Sequence, residues 1–291
     1  MIKRLLGRYR GIHMRMFKKI FRRIKVVNDI RKVSRNWINI TINAKINNFP
    51  ISVRFRDGRI VIVDSMHELF RLICEKKYNI VLKSQKGVGD FISVFILEEY
   101  KFLRCKNKLV IDIGAEVGDS SIYFAMKGAV KVVAIEPMPY NFVFLKENIK
   151  SNQFDGIIEP LNIMIGNKTK RTMIEVFNEP IVRDTTETTQ GYEIDQLSLN
   201  DLLKKYYTKN SILKLDCEGC EYNLVNLLDN KDIQNFERIQ IEYHYGLDGL
   251  VDKLHNARFK VKYTKPIDVY NPDASNPNLK VGYIYAKRRA P

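Results

Sequence analysis

Two short segments of this chain gather the residue types that ligand binding and proton transfer require. The first, Asp112-Ile113-Gly114-Ala115-Glu116-Val117-Gly118-Asp119-Ser120, follows the apolar run Lys108 to Ile113 and leads into Ile122, Phe124, Ala125 and Met126. That order is strand, glycine turn, helix, and the glycines let the backbone come close to a ligand at a helix N-terminus. The spacing is D-x-G-x-x-x-G, whereas a dinucleotide fingerprint reads G-x-G-x-x-G and keeps the helix end clear for a pyrophosphate. Here Asp112, Glu116 and Asp119 crowd the turn. Carboxylates repel phosphate and attract cations. Glu136 lies 22 residues beyond Gly114, at the end of the next apolar run, Lys131 to Ile135, where an acid can accept hydrogen bonds from two ribose hydroxyls. A ligand that joins a ribose to an ammonium and a sulfonium meets all of these demands, and S-adenosylmethionine is such a ligand. Its expected contacts are Asp112, Gly114, Glu116, Gly118, Asp119, Ser120 and Glu136. By contrast, Gly87-Val88-Gly89-Asp90 has neither the following helix nor the distant acid and reads as a loop.

The second segment is Ile212-Leu213-Lys214-Leu215-Asp216-Cys217-Glu218-Gly219-Cys220-Glu221, in which Asp216, Glu218 and Glu221 follow the end of a strand. In an open α/β sheet the carboxyl ends of the strands form the crevice where ligands bind. Glu221 also suits the N-terminus of the helix that follows. His244 stands just past another strand, Arg238 to Tyr243, so it reaches the same edge. An imidazole needs no large pKa shift to act as a base near neutral pH, which makes His244 a candidate base and Asp216 its rival. Glu218 either orients an acceptor or shares a divalent ion with Asp216. No metal is assigned, because the C-x-x-C pair Cys217/Cys220 lacks the two further ligands of a tetrahedral zinc site.

The elements that must position these groups alternate strand and helix from about residue 106 onward. Lys108 to Ile113, Lys131 to Ile135, Ile157 to Ile165, Ile212 to Leu215 and Arg238 to Tyr243 read as strands; Asn141 to Ser151, Leu199 to Tyr206, Glu221 to Leu228 and Leu247 to Ala257 read as helices. Right-handed crossovers then give a doubly wound α/β sheet, mostly parallel. Arg258 to Tyr263 and Val281 to Ala286 have no helix between them and imply a C-terminal antiparallel hairpin. That element order resembles the class I methyltransferase fold, a Rossmann-like architecture. The Thr-rich stretch Asp184 to Gly191 has no apolar period and reads as a loop.

Three regions are expected: 1–27, 28–105 and 106–291. Residues 1–27 hold ten Lys or Arg and no acid, which leaves about +6 of the net +16 for the other 264 residues. Ile2, Leu5, Tyr9, Ile12, Met16, Ile20 and Ile24 recur there at helical spacing, so the stretch is a basic amphipathic helix. Two fates fit it equally: lying on an anionic membrane face, or packing on the rest of the chain or on a second subunit. Residues 28–105 read as a small α+β region. Ile38 to Ile42, Ile51 to Phe55 and Ile60 to Val63 alternate as strands, with Asp57-Gly58 turning the last two into a hairpin. Ser65 and Glu68 open a helix running to about Lys77, and strand-like runs cover Phe91 to Leu97 and Tyr100 to Leu103. Four cysteines are too few for a disulfide scaffold, so reduced thiols and a cytoplasmic location are expected, with the inner membrane face as a peripheral site. No apolar run is long enough to span a bilayer.

The first motif, Glu136-Pro137, the run Gln196-Leu197-Ser198-Leu199-Asn200-Asp201-Leu202-Leu203, the D-x-E-G-x-E segment and Glu242-Tyr243-His244 occur here in the order seen in FkbM-family methyltransferases. The chain resembles that family over roughly residues 94–247. The resemblance implies an S-adenosylmethionine-dependent enzyme that O-methylates a hydroxyl of a sugar, glycan or other small molecule. Glu116 departs from the Asn of many relatives, and Cys217 and Cys220 occupy variable positions. Two other functions compete with this expectation. An RNA methyltransferase would use the positive charge, although no RNA-binding module is visible and nucleic acid is not the expected partner. A non-catalytic membrane- or glycan-binding protein on the same fold is opposed by the intact Asp112, Glu136 and Asp216.

Overall fold

The computed structural model describes residues 24–84, 89–175, 184–185, 191–206, 209–247, 249–270 and 278–289. Most of the basic amphipathic stretch, residues 1–23, lies outside them, as do 186–190 of the Thr-rich segment. No described helix is long and apolar enough to cross a membrane. The chain divides into two compact units, Met1–Glu99 and Tyr100–Pro291.

In the first unit, helix α1 (residues 24–33) is followed by α2 (Trp37–Lys45), the antiparallel pair β1 (Ile51–Arg54) and β2 (Ile60–Val63), and α3 (Met66–Tyr78). Gly58 turns the hairpin at φ +93°. Ser65 caps α3 by accepting from the Glu68 amide, and Glu68 Oε2 accepts from the Asp64 amide in return. Ile38 to Ile42 is a helix rather than the expected strand. Its alternating isoleucines fit both periods, but the core takes Ile40 and Ala44, four residues apart, and leaves Ile38 and Ile42 each 56% exposed. The expected strand at Phe91 to Leu97 is also helical: Ile92–Ile96 forms one π-helical turn, and Glu99–Leu103 is a 3-10 helix across the boundary between the units. A short run buried on all sides, here Phe91, Val94, Phe95 and Ile96, has no period that separates strand from helix. Asp90 breaks the tie by accepting from the Ser93 amide at the start of the turn.

The second unit is built on one long sheet. In chain order its elements are β3 (Leu109–Ile113), α4 (Asp119–Met126), β4 (Lys131–Ile135), α5 (Pro139–Ser151), β5 (Ile158–Leu161), β6 (Met164–Gly166), β7 (Lys170–Glu175), β8 (Asp184–Thr185), β9 (Gly191–Ser198) and α6 (Leu199–Lys205). They continue with β10 (Ser211–Leu215), α7 (Glu221–Leu227), α8 (Asn230–Ile233), β11 (Phe236–Tyr243), α9 (Leu250–Asn256), β12 (Phe259–Tyr263), β13 (Ile267–Tyr270) and β14 (Asn278–Arg288). The sheet order is β12-β14-β11-β10-β3-β4-β5, with β13 paired to β14. The pairs from β11 to β5 are parallel and β14 is antiparallel to both its neighbours, as the sequence implies. Every residue of β3 and β10 is buried, which their continuous apolar runs dictate. The chain leaves β3 toward β4 and later returns to its other side as β10, so the topological switch lies between β3 and β10.

The expected strand Ile157 to Ile165 is two strands in two sheets. β5 ends the long sheet, where its Pro160 is tolerated at an edge, and β6 starts a four-stranded sheet ordered β6-β9-β7-β8. Asn162, between them, donates through Nδ2 to the carbonyls of Glu136 and Pro137.

Candidate active site

The turn after β3 is bound on three sides. The Gly114 and Ala115 amides both donate to the Ile135 carbonyl, and the Asp216 amide donates to the Ile113 carbonyl at 3.1 Å. A Cβ on Gly114, whose φ is +79°, would lie 1.6 Å from the Asp216 carbonyl oxygen, so no other residue fits there. At Gly118 a Cβ would meet Leu145 Cδ1 at 2.6 Å, and the buried Asn148 on α5 donates to the Val117 carbonyl. The first turn of α4 carries no side-chain cap, so Asp119 and Ser120 do not serve as one.

Glu136 is 4% exposed and accepts one backbone donor on each oxygen: the Glu116 amide at 2.9 Å and the Met138 amide at 2.8 Å. Asn141 adds a side-chain hydrogen bond to the same carboxylate, which leaves it one lone-pair site for a hydroxyl. Burial pushes the Glu136 carboxyl up to about 7, against the pull of those two amides. Glu116 is held at φ +47° and is pushed up to about 8 by burial and by Asp119 and Glu136. A non-glycine residue in the left-handed region is uncommon and costs strain.

Asp112 has a different task from the one its spacing suggests. It is fully buried, and its Oδ2 accepts from the hydroxyls of Ser120 at 2.7 Å and Ser121 at 2.6 Å. Its Oδ1 lies 3.2 Å from Lys214 Nζ. Asp112 and Ser120 therefore fix the start of α4 and a buried cation. Lys214, which the sequence reading passed over, is 2% exposed, reaches the Gly114 carbonyl at 2.5 Å and lies 3.8 Å from Asp216 Oδ2. Burial alone would lower its pKa, but Asp112 and Asp216 raise it, so it stays an ammonium. Tyr100 joins from the other side, its hydroxyl 3.4 Å from Asp216 Oδ2.

Asp216, Glu218 and His244 come together as the sequence expects. His244 is 4% exposed; its Nδ1 is 3.0 Å from Glu221 Oε1, and its Nε2 is 3.3 Å from Glu218 Oε2 and 4.0 Å from Asp216 Oδ1. Burial would lower the imidazole's pKa, yet Glu221, Glu218 and Asp216 outweigh it and raise it to about 10. The expectation that His244 needs no large shift is therefore overturned: it carries a proton at neutral pH and is no base there. Glu221, fully buried, also accepts from the Cys217 amide at 3.0 Å and so ties the loop to the histidine. Glu242, at the end of β11, is pushed up to about 8 by burial and by Asp216.

Cys217 and Cys220 form a disulfide, which corrects the expectation of reduced thiols throughout; Cys74 and Cys105 are free and buried. The bridge straddles Glu218 and Gly219, whose backbones stand at φ +55° and +110°. Residues three apart in this tight turn bring their Cα atoms to 5.5 Å, a separation that a disulfide spans.

The raised acids give a stability prediction for the ligand-free protein. Glu136 and Glu116 hold their protons in the folded state up to about 7 and about 8, while in the unfolded chain they release them near the ordinary value of 4.5. Their contribution is complete below that ordinary value and is lost as pH rises through the folded values. Unfolding free energy, and with it the thermal midpoint, should therefore fall as pH rises from about 4.5 to about 8, by an amount on the order of 3 kcal/mol for Glu136 alone. Scanning calorimetry of the wild type and Glu136→Gln checks this; equal slopes in the two proteins would contradict it.

Residues 112–261 match the family described as Methyltransferase FkbM domain. Among curated relatives, the chain is 40% identical over 57 residues to a tRNA(Phe) (4-demethylwyosine(37)-C(7)) aminocarboxypropyltransferase of Pyrococcus horikoshii, which is 20% of each chain. It is similar to the crystal structure of Methyltransferase FkbM from Methylobacillus flagellatus KT, at 17% identity and TM-score 0.41, over 62% of this chain and 43% of that one. The METTL16 MTase domain aligns at 12% identity and TM-score 0.50, over 81% of this chain and 85% of that one, and shares the fold. The chain thus spans a fifth of the length of the curated relative and under half of the FkbM structure. S-adenosylmethionine is the cofactor of this family and fold, and the glycine cradle and the buried Glu136 carboxylate at the end of β4 fit it. Because the matched segment covers half of the sequence and carries this turn and this acid loop, the chain belongs to the FkbM methyltransferase domain family.

Proposed function

We propose that this chain is an S-adenosylmethionine-dependent O-methyltransferase acting on a hydroxyl of a sugar, glycan or other small molecule. The observation that carries the reading is the meeting, at the β3/β10 switch point, of the cofactor turn with the Asp216, Glu218 and His244 group. When bound, S-adenosylmethionine supplies a methyl on a positively charged sulfur. Gly114 and Gly118 admit it to the backbone, Glu136 accepts a ribose hydroxyl, and the acids of the turn favour its positive charges.

Asp216 is the base in this reading, and His244 is not. The Asp216 side chain is 25% exposed, so its Oδ1 can receive a hydroxyl proton, while Lys214 and Tyr100 hold Oδ2. The protonated His244, fixed by Glu221, keeps Asp216 and Glu218 close together despite their like charge. Positioning of the acceptor oxygen in line with the methyl supplies much of the rate.

Calorimetric titration with S-adenosylmethionine and with NAD tests the cofactor, and transfer of labelled methyl to a host extract tests the acceptor. The expected result is binding of the first ligand alone and label in a glycan or small-molecule fraction. Label confined to RNA would instead make the chain an RNA methyltransferase, the use favoured by the ten cations of residues 1–27. Tight NAD binding without S-adenosylmethionine would sink both.

A further inference from the structure

We infer that Asp216, Glu218 and His244 form a divalent-cation site, in which the fully buried Glu221 orients the histidine and the ion faces the acceptor hydroxyl. One ligand atom from each of the three residues can be chosen so that all lie within 4.8 Å of one another. Ligands around an ion at about 2.1 Å stand roughly 3 Å apart when adjacent and 4.2 Å when opposite. The separations here, 3.3 Å from His244 Nε2 to Glu218 Oε2 and 4.0 Å to Asp216 Oδ1, already fall in that range.

The histidine carries a second and independent mark of a ligand. Its Nδ1 is engaged by Glu221 Oε1 at 3.0 Å, so its Nε2 is the nitrogen presented to the two carboxylates; an ion bound there displaces the Nε2 proton and takes over its place between Asp216 and Glu218. Metal-bound histidines are commonly held by a carboxylate on the ring nitrogen away from the ion. Glu221 is fully buried, and its Oε2 has no hydrogen-bond partner, although burying an unsatisfied carboxylate oxygen is costly. Asp216 can serve the ion and the rest of the site at once, because Oδ1 has two lone pairs, one for the ion and one for the hydroxyl proton, while Oδ2 faces Lys214 and Tyr100.

The donor set is two carboxylates and one imidazole. That mixture suits a first-row ion that accepts both carboxylate oxygen and imidazole nitrogen, such as Mn²⁺, and the oxygen-bound Mg²⁺ and Ca²⁺ fit it less well. Three protein ligands leave open positions. The task assigned to them, holding the acceptor oxygen, rests on the methyl-transfer reading; the binding of the ion does not.

The test uses the full chain freed of metal with a chelator and titrated with MnCl2, reading free Mn²⁺ by electron paramagnetic resonance, with S-adenosylmethionine affinity measured by calorimetry on the same samples. One saturable Mn²⁺ site is expected. Glu218→Gln, at a carboxylate 65% exposed and so outside the core, should abolish it, and Glu221→Gln should weaken it by about 10–100-fold. S-adenosylmethionine affinity should stay unchanged in Glu218→Gln. The inference is overturned if the wild type shows no saturable site at millimolar Mn²⁺, or if Glu218→Gln binds the ion as the wild type does. Loss of Mn²⁺ binding with intact S-adenosylmethionine binding would leave the methyltransferase reading standing, whereas the reverse pattern would overturn that reading and keep the ion site.

Discussion

Lys214→Met should lower the unfolding free energy by about 3–5 kcal/mol, the cost of leaving a buried charge without its partner. The stranded group is Asp112, which is fully buried and has Lys214 Nζ at 3.2 Å as the cation beside its Oδ1. The same change removes the donor to the Gly114 carbonyl, so the cofactor turn loses its anchor from below. Asp112→Asn combined with Lys214→Met removes both charges and should recover part of the loss, since the buried charge stranded in the single variant is gone while the asparagine oxygen still accepts from Ser120 and Ser121. Urea denaturation of the wild type, the single and the double variants measures all three. A single variant within about 0.5 kcal/mol of the wild type would show that the pair is not structural.

Asp216→Asn should leave the fold and the S-adenosylmethionine affinity near their wild-type values and reduce turnover by about 10²–10⁴-fold. The asparagine keeps the shape and the hydrogen bond with Tyr100 but has no basic oxygen. His244→Asn should act differently. Because His244 is protonated below about 10, turnover at neutral pH does not depend on its titration, and the pH profile of the wild type should show no imidazole limb near 6.5. Rates across pH 5.5–9 for the wild type check this, once an acceptor is known. A limb near 6.5 that disappears in His244→Asn would restore the histidine as the base.

Much of the second unit was legible because its central strands are short apolar runs buried on both faces and the turns that follow them carry Gly114, Gly118 and Gly219 at positive φ. The acids of the site were legible for the same reason: they follow strand ends, and topology sends those ends to one edge. Lys214 was not, because a lysine in Ile-Leu-Lys-Leu reads as a solvent-facing position. The signal was available in the register, since a strand buried on both faces has nowhere to put a lysine except against an acid, and Lys214 pairs directly with Asp112 of β3. The protonation of His244 was hidden for a related cause. It depends on Glu221, 23 residues away in sequence, and no local spacing reveals that contact. The two misread strands failed at a different level, where Ile38 to Ile42 and Phe91 to Leu97 satisfy more than one period and only the packing decides.

The Asp216 carbonyl occupies the space where a side chain on Gly114 would be, so the two turns that flank the switch point touch through their backbones. Neither can shift without displacing the other. A side chain introduced at Gly114 would therefore damage both turns at once, the one that carries the cofactor glycines and the one that carries the acids.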